Sequence, residues 1–126
     1  MKIVLERNQK SGGLMGGKQI FSVMFRAEIS QAEKDAINKY KLADDILYKS
    51  HDVQGGTGIV GVVSRAYLRS KIKSINVRDL VNGKTIECDD VAEMLEVEAQ
   101  VVEAATGLKN ILEAAMTFGG RHIIEV

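Results

Sequence analysis

Apolar and polar residues alternate along residues 19–29. Phe21, Val23, Phe25, Ala27 and Ile29 take the odd positions, with Ser22, Arg26 and Glu28 between them. A period of two over this length predicts a half-buried strand. Residues 2–9, KIVLERNQ, open with β-formers and predict a partner strand, with residues 10–17 closing the hairpin. Ser30 then caps a helix and Glu33 completes a capping box. Ala32, Ala36, Ile37 and Tyr40 give that helix one apolar side through about Leu42. Residues 46–49, ILYK, read as a further strand.

From Ile59 to about Val77 the chain is β-prone, with a bend near Ser70–Ser74. Asn82-Gly83 is the dipeptide of a two-residue hairpin turn, so Thr85–Cys88 is expected to return as a strand. Asp90 can cap the clearest element, a helix to about Met116. Along it Met94, Val101, Leu108 and Ala115 recur every seven residues, as do Val97, Ala104, Ile111 and Phe118. Together they draw one apolar stripe. Gly119-Gly120 ends the helix, and HIIEV is expected to form a last strand. The expected fold is therefore α+β in one domain, residues 1–126: a mainly antiparallel sheet with a short helix and one long C-terminal helix packed on it.

Composition narrows the classes of function. The chain has 126 residues, 45% apolar and 27% charged, which suits one soluble globular domain. Lys plus Arg and Asp plus Glu are 17 each, so there is no positive excess of the kind a polyanion binder carries. No apolar run approaches the roughly 20 residues of a membrane span. MKIVLERNQK turns charged after three apolar residues and does not fit a secretory signal. With Cys88 the single cysteine, a cytoplasmic setting is expected. Proline is absent, so glycine must make the turns.

Two glycine motifs imitate nucleotide sites. Gly12 to Lys18 fits G-x-x-x-x-G-K, but Gln19 stands where a magnesium-binding hydroxyl is needed, and a strand follows where a helix should begin. Gly56, Gly58 and Gly61 fit G-x-G-x-x-G with Asp79 further on, but the alternation after Gly61 favours a strand over the required helix. Both read as loops, and no cofactor is expected. The apolar tip Leu14-Met15 is unusual for a solvated turn and is a candidate contact for a neighbouring subunit.

Residues 64–73, SRAYLRSKIK, would place Arg65, Tyr67, Arg69, Lys71 and Lys73 on one strand face. Such a face can meet phosphates and stack a base, though charged outer faces are ordinary on strands. Glu87, Asp89, Asp90, Glu93, Glu96, Glu98 and Glu103 form an acidic sector that either favours the helix start or faces the basic stretch. No metal is assigned to it, because these acids spread around the helix. His51 and His122 stand alone and Cys88 lies in no nucleophile motif, so no catalytic set emerges. A sheet with one long helix resembles the outline of hot-dog-type thioesterase folds, although here the long helix comes late. No residue is carried over from that resemblance.

The leading expectation is a small protein that acts by self-association or by binding another protein. A helix of ~27 residues spans roughly 40 Å, longer than so small a sheet should cover. Met94, Val97, Val101, Ala104, Leu108 and Ile111, with Leu14 and Met15, are the expected interface. Nucleic-acid binding through residues 65–73 stands second. An enzyme with a site at a subunit boundary stands third.

Overall fold

The computed structural model describes residues 1–11, 19–50, 71–117 and 123–125. In chain order the elements are β1 (Lys2–Ser11), β2 (Gln19–Glu28), α1 (Gln31–Lys39), β3 (Ile46–Lys49), β4 (Ser74–Asn76), α2 (Val77–Asn82), β5 (Lys84–Cys88) and α3 (Val91–Met116). Among the described residues two antiparallel sheets form, one ordered β1-β2-β5 and the other β3-β4. The α+β architecture expected from the sequence is the one observed.

The β1–β2 hairpin pairs from Lys2 with Glu28 to Ser11 with Gln19. Its register follows from the alternation in β2. Val23, Phe25 and Ala27 are buried on the side that meets α3, while Arg26 and Glu28 are exposed on the other. A slip of one residue would turn this apolar row to water. The segment that closes the hairpin lies outside the described residues.

The helices begin where the sequence places caps. The Ser30 hydroxyl accepts from the Glu33 amide at 3.2 Å, and the Glu33 carboxylate accepts from the Ser30 amide at 2.9 Å. Helix α1 stops at Lys39, short of the expected Leu42, and Lys41 sits in the left-handed region at φ 55. Of its expected apolar side, Ala36 and Ile37 are buried, Tyr40 is half-buried and Ala32 is exposed. At α3 the Asp90 carboxylate accepts from the Glu93 amide at 2.8 Å.

Two expectations are corrected. Residues 77–82 are helix, not the end of a strand, because Asn76 and Asp79 form a second reciprocal capping box, at 2.8 and 3.1 Å. Val77 and Leu80 fill the core from this helix, and Gly83 is its C-terminal cap rather than a hairpin turn. Strand β5 therefore returns to β2 across the sheet instead of to the segment before it. Secondly, Ile123–Glu125 form no strand; Ile123 and Ile124 are 72% and 74% exposed.

The long helix is covered along its length by β2, β3, α1 and β5. Met94, Val97, Gln100, Val101, Ala104, Ala105, Leu108 and Leu112 are buried. A straight helix drifts ~20° per heptad away from a seven-residue repeat. By the third turn of the repeat, Leu112 has rotated into the core and Ile111 and Ala115 are only half-buried. Met94, Val97, Val101, Ala104 and Leu108, expected to meet another chain, are instead the core of this one. The stripe is covered because β3, β4 and α1 extend the cover beyond the three-stranded sheet.

Candidate functional site

The helix crosses the sheet mainly over β2, which leaves the inner face of β1 partly open. Antiparallel partners share a face, so Ile3, Leu5, Arg7 and Gln9 point the same way as their partners Ala27, Phe25, Val23 and Phe21. Phe25 is fully buried, but Leu5 beside it is 37% exposed. Above Arg7 lies Glu98 of α3, which holds the guanidinium with both carboxylate oxygens, the Nη2–Oε1 arm at 2.7 Å. This hydrogen bond holds the Glu98 carboxyl below the usual carboxylate range and raises Arg7 further above neutrality.

Glu98 belongs to a row on α3. Val91, Leu95, Glu98 and Val102 are spaced by four, three and four residues, which places them on one flank. Val91, Leu95 and Val102 are 48%, 50% and 53% exposed. The Arg7–Glu98 pair pins this flank above β1. An apolar strip, crossed by one ion pair, therefore runs beside a strand whose outer edge has no partner among the described residues. The sequence contained this signal at 91, 95 and 102, but the heptad stripe lies on the neighbouring face and drew attention from it.

The other sites fare differently. Lys71 lies 3.5 Å from Asp89 and 3.5 Å from Glu93, and both carboxylates hold its proton more firmly. At Lys71, then, two residues of the acidic sector meet the basic stretch within the chain. Lys73 lines a cleft of about 220 Å³ with Lys71, Ser74, Asp79 and Lys84. Lys84 is paired with Asp79 at 3.4 Å, so this cleft presents little free positive charge. Arg65, Tyr67 and Arg69 lie outside the described residues, as do Leu14, Met15, His51, Phe118, His122 and both glycine motifs.

A larger hollow of about 550 Å³ lies between β3 and α3, lined by Leu47, Tyr48, Glu96, Gln100 and Glu103 among others. It joins residues far apart in sequence, so no local motif could show it. Among the described residues no three of His, Cys, Asp and Glu come together as a metal site, and none of the helices is long and apolar enough to cross a membrane.

Cys88 is 2% exposed at the end of β5. Burial first, then Glu93, pushes its thiol above the usual range. A thiol-reactive disulfide reagent at pH 8 is expected to label the native protein at least a hundredfold more slowly than the urea-unfolded chain. Comparable rates would show that Cys88 is not enclosed.

No family model, curated protein or solved structure matches the chain.

Proposed function

We propose that the protein works by self-association, as a homodimer joined along β1 and the flank of α3. The observation that carries this reading is the set of exposed residues Leu5, Val91, Leu95 and Val102 beside a strand edge that has no partner among the described residues. Single exposed apolar residues are ordinary, but several along one helix flank, next to a strand edge with no partner among the described residues, mark an interface. The interface is thus read one face round from the stripe at Met94, Val97, Val101, Ala104 and Leu108, which the chain itself covers. A cytoplasmic setting belongs to the same reading, supported by one enclosed cysteine.

Light scattering coupled to size exclusion tests the reading. At tens of micromolar the protein should elute at twice the 13.8 kDa of one chain. Leu95→Glu with Val102→Glu should leave a folded monomer, since burying two carboxylates without partners costs several kcal/mol. A wild-type monomer at that concentration removes the proposal.

A further inference from the structure

We infer that two copies join by antiparallel pairing of their β1 strands about Val4. The inference rests on the self-association reading and adds its register. A two-fold axis normal to the sheet sets residues of equal parity opposite each other, because side chains alternate between faces. This leaves few registers, and charge together with apolar matching separates them. Pairing about Glu6 sets Glu6 against itself and Lys2 against Lys10, both like-charged. Pairing about Arg7 sets Arg7 against itself. Pairing about Leu5 puts Ile3 against Arg7. Pairing about Asn8 matches Glu6 with the partner's Lys10 but sets Leu5 against Ser11, which leaves the exposed leucine without an apolar partner.

Pairing about Val4 is self-complementary. Lys2 meets the partner's Glu6 on the outer face, twice by symmetry. On the inner face Ile3 meets the partner's Leu5, which covers the apolar residue left 37% exposed in one chain. Val4 meets its own copy. Opposite charges and apolar pairs directly across a ladder are the stabilising combinations, and like charges the destabilising ones. At the ends of the paired stretch Arg7 meets the partner's Met1. Each of these cations already has its own carboxylate, Glu98 for Arg7 and Glu33, at 3.5 Å, for the Met1 ammonium. Val102, half exposed on α3, lies four residues beyond Glu98 on the same flank.

Cross-linking tests the register. Directly opposite Cα atoms lie about 4.5–5.5 Å apart, within the roughly 4.4–6.8 Å that a disulfide spans. In a Cys88→Ser background, Val4→Cys should oxidise to a covalent dimer nearly completely. Asn8→Cys should not, because its copies would lie roughly 26 Å apart along the strands. Separately, Lys2→Glu or Glu6→Lys alone should weaken dimerisation roughly tenfold, and the two together should restore it. Lys2 also faces Glu28 within the chain, so the readout is the dissociation constant and not the melting temperature. A dimer that neither cross-links at position 4 nor recovers with the double exchange overturns the register and leaves self-association standing. A monomeric wild type overturns both.

Discussion

Leu108→Ala is expected to lower the stability of the fold by about 3 kcal/mol, within the usual range for a buried Leu→Ala change. For a chain of this length that is a fall of roughly 10 °C in melting temperature. Leu108 has no exposed surface and sits in the cluster that joins α3 to β2 and α1. Removing three carbons there loses their burial and leaves a cavity that rigid neighbours cannot fill. Val102→Ala, six residues earlier on the open flank, is expected to change the stability of a single chain by about 0.5 kcal/mol or less. Its effect should fall on dimerisation. The comparison needs equal protein concentrations, because association stabilises by mass action. Urea unfolding followed by circular dichroism reads both. Equal losses at the two positions would mean that the inner and outer faces of α3 have been assigned wrongly.

That comparison turns on which face of α3 is inside, and here the sequence was legible only in part. Met94 through Leu108 were recognised as one apolar face from spacing alone. The number of partners for that face was not, because cover depends on elements distant in sequence. Leu47 of β3 lies against Gly107, where an added Cβ would sit 3.8 Å from its side chain. Nothing near either residue announces that contact. The seven-residue spacing also suggested a seam between helices, whereas a helix lying on its own sheet follows a period of 3.6. Leu112 and Ala105 enter the core for that reason. The interface reading then moves to Leu95 and Val102, on the neighbouring flank.

Elements set by local chemistry were easier. Strand β2 announces itself by alternation, and α1 and α3 by Ser30 and Asp90. Helix α2 also carries a local signal, but a masked one. Asn76 and Asp79 have the spacing of a capping box, but Ile75 and Val77 continue a β-prone run, and six residues are too few for helical periodicity to show. The candidate site was the least legible part. Arg7 and Glu98 are 91 residues apart, and only the crossing of α3 over β1 brings them together.

The same short helix makes Gly83 the second position of large expected effect. Asn82-Gly83 has the composition of a tight hairpin turn, but Gly83 has φ 85 and ψ 152. Positive φ with extended ψ is a region that residues with a side chain almost never enter, at a cost of about 1–3 kcal/mol. Space is short as well. A Cβ there would lie 3.3 Å from the Arg26 Cβ and 3.3 Å from the Phe25 carbonyl oxygen. The backbone cannot easily yield, since the Gly83 amide donates to the Asp79 carbonyl at 3.0 Å and Lys84 immediately enters the ladder opposite Phe25. Gly83→Ala is therefore expected to cost about 2 kcal/mol or more, and Gly83→Val more again, because branching at Cβ adds to the crowding. An isolated hairpin turn would respond differently: Asn or Asp in place of Gly83 would be tolerated, since both adopt the left-handed turn conformation. Melting temperatures of the Ala, Asn and Val variants separate the two cases. Near-wild-type stability of Gly83→Asn would show that this residue makes a turn after all, and that the chain does not pass from α2 directly into β5 opposite Phe25.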